Sequence, residues 1–501
     1  MTEKENFDVI IIGAGLAGLT AGAKLAKEGK KILLIEQHSK MGGCATKFRR
    51  KNTTLEIGLH EMDGLDRNDD LKRAIFNDLG VYDSIEFVKV PEFFRLINGR
   101  VDVTVPHGIE NAVIAISKAF PGEEITVETF FQDIIKIHEL LKKRDMEGLI
   151  QFNTTVGEYL DGITANEDLK FTLTGNLGYY GDDAYTLSMI YFGSAQYSYF
   201  KGGGWFIKGG SQVLSDYLAS VIEEYGGTTV KRHLVTEILT EDGVAIGVKY
   251  KKTPKKHEPD QEEIQEKETF SQIIIANNAI PNVVNKLIPS LDGTDYQKEV
   301  NSFEIANSLL SIYLIFSEPP STLGNRHYST FILPEELTAL KDFNQGEKSF
   351  DYTKKGFVFV DYNVFDSQLN EEGKYIGAIC AIDYLDNWNK LTDEEYNARK
   401  EEVADTLIKR LDAVIPGIKG IVKFKEVATP KTIARYTLNP KGSVYGFSQI
   451  PNQVGPFRAR IINPPVKNLY FASAWMSGGG FSGAIIGGYI CASQVLKNHP
   501  I

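Results

Sequence analysis

The feature that most constrains how this chain of 501 residues can fold is a glycine pattern close to its start. Residues 8–12 read as a buried strand and run directly into Gly13, Ala14, Gly15, Leu16, Ala17 and Gly18, the spacing Gly-x-Gly-x-x-Gly. Beyond it Leu19, Ala23 and Ala26 fall on one helical face, Gly29 supplies a stop, and residues 32–35 read as the next strand. The glycine pattern alone is a weak signal, but strand, turn, helix and strand in succession form a strong one. In such a unit the glycines permit a tight turn and close backbone approach, so that a pyrophosphate rests on amides at the positive end of the helix. Glu36 follows the second strand, 23 residues beyond Gly13. A carboxylate there accepts hydrogen bonds from ribose hydroxyls and disfavours a 2′-phosphate.

Composition sets the outer bounds. At roughly 150 residues per domain the length implies two or three domains. Hydrophobic residues make up 42 % and charged residues 24 %, which excludes a disordered, collagenous or disulfide-framework chain. A net charge of −11 implies no general affinity for nucleic acid. Cys44, Cys380 and Cys491 are too few for a disulfide framework and lack metal-ligand spacing, so a reducing compartment and no metal site are expected. The polar, acidic start lacks the basic region and cleavage site of a secretory signal, which points to a cytoplasmic protein. The apolar stretch 9–26 is broken by glycines and Lys24, so a membrane span is not expected, while peripheral contact with a membrane stays open.

The choice between a nicotinamide and a flavin rests on Met41-Gly42-Gly43 and on a second glycine-rich element at the far end. Residues 468–472 read as a strand, followed by Trp475-Met-Ser-Gly-Gly-Gly-Phe-Ser-Gly483 and a helical run over 484–496. A helix starting there aims its free amides at the pyrimidine ring of a flavin, where negative charge accumulates on reduction.

These two ends, with Gly202-Gly-Gly-Trp-Phe-Ile-Lys-Gly-Gly-Ser211, resemble the phytoene desaturase, carotenoid cis-trans isomerase and retinol saturase family of flavoproteins over nearly the whole length. Further matching pieces are Glu36-Gln-His, Gly42-Gly-Cys-Ala-Thr, Leu55-Glu-Ile-Gly-Leu-His60, Thr429-Pro-Lys-Thr and Tyr436-Thr-Leu-Asn-Pro-Lys-Gly442. The resemblance implies an α/β fold with a Rossmann-like, GR2-type FAD-binding domain assembled from residues 1–97, 202–300 and 432–501. Residues 98–201 and 301–431 then form an α+β substrate domain whose mixed sheet roofs the flavin. Non-covalent FAD is implied, contacted by Gly13, Ala14, Gly15, Leu16, Ala17, Gly18, Glu36, Gln37, Gly42, Gly43, Cys44 and Ala45. Gly58, Leu59, His60, Val235, Asn277, Ser473, Ala474, Gly480, Phe481, Ser482 and Gly483 complete that set, with the backbone of Val235 meeting the adenine. One departure is Ala474, where many relatives carry an acidic residue for the ribityl chain. Either backbone and Ser473 replace that contact or FAD is held less tightly.

The middle segment reads coherently by itself. Ser211 is placed to cap a helix with Leu214, Leu218, Val221 and Ile222 on one face, ended by Gly226 and Gly227. Strands are expected over 233–239, 244–250 and 270–276, with 251–269 a solvated hairpin extension. In the substrate domain, strand-like runs cover 309–316, 357–362 and 375–382. Ten aromatics lie between Tyr179 and Phe206, far above the chain's 11 %. They suit either a tunnel for a flat conjugated ligand or ordinary core packing. Residues 128–149 read as an amphipathic helix in which Phe130, Phe131, Ile134, Ile135, Ile137 and Leu141 accompany Lys136, Lys142, Lys143 and Arg144. That pattern suits docking on an anionic membrane or packing within the domain.

By resemblance the substrate is a long apolar polyene or isoprenoid, with a quinone, oxygen or a reductant as electron partner. Desaturation, saturation and reduced-flavin isomerisation all fit. His60 is the named acid–base candidate, because histidine titrates near neutrality; a structural role is the alternative. Cys44, with no neighbouring base, is expected to pack. Two rivals share the architecture: a flavin amine or amino-acid oxidase, and a non-enzymatic prenyl-lipid carrier similar to the Rab GDP-dissociation inhibitors.

Overall fold

Apolar β-branched runs build the centre of the molecule. In the computed structural model, which describes residues 7–181, 183–254, 265–369, 373–476 and 478–500, five parallel strands lie in the order Thr228–Val230, Ile32–Ile35, Val9–Ile12, Ile273–Ala276 and Leu469–Phe471. The pleat sends alternate side chains to opposite faces. Val9, Ile11, Ile32 and Leu34 therefore enter one core, while Ile10, Ile12, Leu33 and Ile35 enter another. The first face carries the helices Leu16–Lys27, Ser211–Glu224 and Gly480–Asn498. The second is covered by the antiparallel sheet His233–Glu241, Val244–Lys252 and Lys267–Phe270.

A seven-stranded mixed sheet forms the other half, in the order Val422–Ala428, Ser308–Phe316, Tyr375–Asp383, Phe357–Asp361, Ser329–Ile332, Phe94–Ile97 and Asp102–Val105. Leu310, Ile312, Leu314 and Phe316 pack beneath helix Asp393–Val414. The opposite face, with Leu309, Ser311 and Cys380, turns toward the interior cavity.

Three expectations change, and one open alternative closes. The run 270–276 is two strands: Lys267–Phe270 extends the hairpin, and after Ser271, whose hydroxyl donates to Asp8 O, Ile273–Ala276 joins the parallel sheet. Strand Phe94–Ile97, assigned to the nucleotide half by a boundary at 97, pairs in the seven-stranded sheet, because its register with Ser329–Ile332 buries Phe94 and Leu96. Ser211 is the first residue of its helix rather than its cap, since Glu56 takes both its amide and hydroxyl hydrogens. In helix Glu124–Lys143 the apolar Phe130, Phe131, Ile134 and Ile137 are fully buried against the domain's own core, which leaves that face no membrane to meet. Residues 255–264 of the expected hairpin extension lie outside the described residues.

Candidate functional site: two glycine turns and a shared cavity

The first turn is built almost wholly from backbone. Gly15 opens helix Leu16–Lys27 without a side-chain cap, and no acidic residue stands in its first turn. Leu16 and Ala17 point into the core, so this turn offers a ligand only its amides. Any Cβ on Gly18 would collide with Gly13 O and with the Asn277 side chain. Asn277 holds the crossing point: its N–H donates to Ile12 O (2.9 Å) and its Nδ2 to Gly13 O (3.1 Å). The buried Glu36 carboxylate accepts from Ala14 N (2.7 Å) and His38 N (2.8 Å). Gly42, at φ +117°, donates its N–H to Ala14 O (2.7 Å), and a side chain there would strike Ala45 O. Gly43 is exposed beside it, and Ala45 is buried with its carbonyl accepting from Ser215 Oγ (2.7 Å). Gln37 reaches Tyr436 O (3.3 Å), and Val235 buries its side chain in the core under the hairpin. Cys44 does not pack into the core: its side chain is accessible beside the turn that seats Gly42.

The second turn repeats the unit at the far end of the sheet. Ala472 N donates to Ala276 O (3.0 Å), Trp475 N to Ser473 Oγ (3.2 Å), and Ala474 packs against the main core. Helix Gly480–Asn498 likewise starts without a side-chain cap or a first-turn acid. A Cβ on Gly483 would overlap Gly478 O, and one on Gly488 would overlap Ala17 O, so the two helices touch along their backbones. Two uncapped helix starts, each closed to side chains by glycine, fit a ligand with an anionic pyrophosphate and a second electron-rich group. These are the features FAD requires.

Between the second turn and the seven-stranded sheet lies a cavity of about 870 Å³. Phe481, Ser482 and Gly483 border it, as do His60, Glu61 and Asp63. Its aromatic wall takes Tyr179, Tyr180, Tyr191 and Tyr199; its apolar wall takes Leu309, Phe331, Val358 and Ile382. Asp69 and Lys142, both partly exposed, mark where it meets the surface. The aromatic cluster thus divides: four tyrosines face the cavity, whereas Phe192, Phe200 and Phe206 are core.

The segment before these acids is pinned from outside. Gly58 N and Leu59 N donate to Glu56 Oε1 (3.2 and 3.1 Å), Leu59 is fully buried, and Tyr362 OH donates to Leu59 O (3.1 Å). His60 Nε2 lies 3.5 Å from Cys380 Sγ, and its carbonyl accepts from Tyr328 OH. Burial pushes its imidazole down to about 4, so His60 is neutral at pH 7 and carries no acidic proton there.

Sequence reasoning passed over Glu61, Asp63 and Lys72. Burial pushes the Asp63 carboxyl up, but Lys72 at 3.2 Å and hydrogen bonds from Ser198 and Ser482 overcome this and hold it below its ordinary value. Burial drives Glu61 well above its ordinary value, with the charges of Asp63 and Glu92 adding to it. The available signal was Glu61-Met-Asp63 following His60, two acids at alternate positions on one side of an extended chain.

A family model described as flavin containing amine oxidoreductase matches residues 16–496. The all-trans-retinol 13,14-reductase of Danio rerio is 26 % identical, over 99 % of this chain and 87 % of that protein. Prolycopene isomerase 2, chloroplastic, of an Oncidium hybrid cultivar is also 26 % identical, over 98 % of this chain and 84 % of that protein. Among solved structures, wild-type putrescine oxidase bound to putrescine superposes with a TM-score of 0.66 at 14 % identity, covering 98 % of this chain and 99 % of that one; at that identity the likeness concerns the fold alone.

Proposed function

The chain belongs to the flavin containing amine oxidoreductase family, and from that premise we propose that it is an FAD-dependent oxidoreductase acting on C–C and C=C bonds of a long apolar polyene of the carotenoid or retinoid class. The carrying observation is the cavity, whose size falls in the usual ligand range and whose walls are tyrosine faces and aliphatic side chains joined to the second glycine turn. The relatives named for reduction of all-trans-retinol and isomerisation of prolycopene support the same substrate class.

When bound, FAD supplies two-electron hydride chemistry. The protein's own part is positional. The amides of Gly15–Gly18 and the Glu36 carboxylate would hold the dinucleotide end, and the amides at Gly480–Gly483 would serve the ring system. Contacts from Gly42 to Ala45, Gly58 to His60, Val235, Asn277, Ser473 and Ala474 belong to the same proposal. The parallel sheet and its helices form the cofactor half, and the seven-stranded sheet with helices 109–202 forms the substrate half. Tyrosine rings and apolar walls exclude water and hold a flat chain against the turn.

Electrostatics favour a neutral substrate over an amine. On the cavity wall Asp63 is already matched by Lys72, and burial drives Glu61 well above its ordinary value, so neither offers an ammonium ion a ready counter-charge. A quinone, oxygen or a separate reductant would complete the redox cycle. Delivery at a membrane surface belongs to this reading too, supported by the exposed Ile114, Ile125 and Ile150 on the same run of helices as Lys118, Lys136 and Lys143.

The test is the visible spectrum of the purified protein, reduced anaerobically and then mixed with all-trans-retinol or a poly-cis carotenoid. Flavin bands that bleach, followed by a shift in the polyene spectrum, are expected. Bleaching by primary amines with no response to polyenes would overturn the substrate class.

A further inference from the structure

Two buried glutamates five residues apart are treated in opposite ways. Glu56 is 1 % exposed, and its oxygens accept from Gly58 N, Leu59 N, Ser211 N and Ser211 Oγ. Glu61 is 8 % exposed, and its carboxyl has no hydrogen-bond or ion-pair partner among the described residues. A buried carboxyl without a partner is costly to a folded protein, so a group like this points to a chemical role.

The surroundings define its protonation state. Asp63 lies two residues along the same segment, and Glu92 approaches from the stretch before strand Phe94–Ile97. Tyr179 and Tyr180 face it from the turn Leu177–Tyr179 and the residue after it, Tyr199 from helix Met189–Gly202, and Tyr328 from the segment before Ser329–Ile332. Gly204 leaves it room, since any Cβ there would collide with Oε2. The neighbouring cation Lys72 is engaged elsewhere, with Asp63 and Asp70, and His327 lies 3.5 Å from Glu92. Burial first, then the charges of Asp63 and Glu92, raise the Glu61 carboxyl well above its ordinary value, so it holds its proton more tightly than an ordinary carboxyl. His60 is neutral and has no proton to give at pH 7, and Asp63 is ionised.

We propose that Glu61 is the proton donor of the cavity, a role that rests on the polyene reading above. Its O–H bond breaks as a C–H bond forms at one carbon of a substrate double bond, the π pair accepting the proton. The neighbouring carbon would take the hydride that a reduced flavin supplies, so that the alkene gains two hydrogens and the flavin is oxidised by two electrons. The Glu61 carboxylate then recovers a proton from solvent. Desaturation is the same sequence reversed, with the carboxylate as base.

The decisive pair of measurements uses flavin-loaded protein, wild type and Glu61→Gln. Infrared spectroscopy at pH 7 is expected to show the carbonyl band of a protonated carboxyl that disappears in Glu61→Gln. With the flavin reduced anaerobically, reoxidation by all-trans-retinol or a carotenoid is expected to slow by about 10²–10⁴-fold in the variant, with flavin content unchanged. Glu61→Asp, which keeps the acid on a shorter arm, should recover part of the rate, and it carries the test if the Gln variant does not fold. An ionised Glu61 at pH 7, or a Glu61→Gln rate within twofold of wild type, overturns the proposal. A wild type inert to every polyene that still shows the carboxyl band lost in Glu61→Gln overturns the substrate reading and keeps the buried acid.

Discussion

The two glycine turns are the same supersecondary unit used for opposite ends of one task. Each follows a strand of the parallel sheet, each opens an uncapped helix, and those helices pack backbone to backbone at Gly488 and Ala17. Around the first turn almost everything is backbone, closed by Asn277 and by a carboxylate whose oxygens already accept two amides. Around the second lie a large cavity, five tyrosine rings and two acids whose proton affinities are pushed in opposite directions. The difference teaches that a helix start provides only a field and free amides; binding or chemistry is decided by what the rest of the chain brings opposite it.

The sharpest way to break this contrast is to add one methyl group at each turn. Gly18→Ala is expected to abolish flavin retention and to cost about 1–3 kcal/mol of stability, since the new Cβ strikes Gly13 O and Asn277. Gly483→Ala should leave the protein yellow but slow its reduction, because the strain falls on the cavity side. Flavin content after desalting, together with stopped-flow reduction, separates the two; equal loss of flavin in both variants would erase the distinction. A smaller effect is expected at Glu36, which sharpens the account of the first turn. Glu36→Ala strips acceptors from the Ala14 and His38 amides, for a loss of about 1–3 kcal/mol, and should weaken FAD binding roughly tenfold, read by titrating the apoprotein.

A further expected effect is a pH dependence belonging to the second turn. A carboxyl whose folded value is raised binds its proton in the native state after the unfolded chain has released it, so native stability falls as pH rises above the ordinary carboxyl range. Wild type should therefore lose stability relative to Glu61→Gln by at most about 1.4 kcal/mol per pH unit above that range. Denaturation at pH 5 and pH 8 measures this, and a constant gap between the two proteins would mean that Glu61 is ionised.

The nucleotide cradle was legible because its requirements are local. Tight turns need glycine within a few residues, strands need apolar runs, and strand Ile32–Ile35 followed by Glu36 appeared where the spacing placed it. The acids were not legible, because nothing near Glu61 in the chain reveals that it is buried. Its neighbours Glu92, Tyr179, Tyr199 and Tyr328 come from four separate segments, and Gly204 makes the room. The aromatic cluster failed for a related reason. Tyr191 and Phe192 are adjacent in sequence, yet the turn of their helix sends one to the cavity and the other to the core. Ser211 likewise looked like a cap until Glu56, far away in the chain, claimed its hydrogens.

What the sequence alone determined is the α/β frame and the place where a dinucleotide can lie, since backbone conformation and apolar periodicity are short-range properties written residue by residue. Only the tertiary structure decided which carboxyl holds its proton more tightly, which less tightly and which tyrosines face the cavity, because proton affinity depends on solvent exclusion and on charges that distant segments bring within reach.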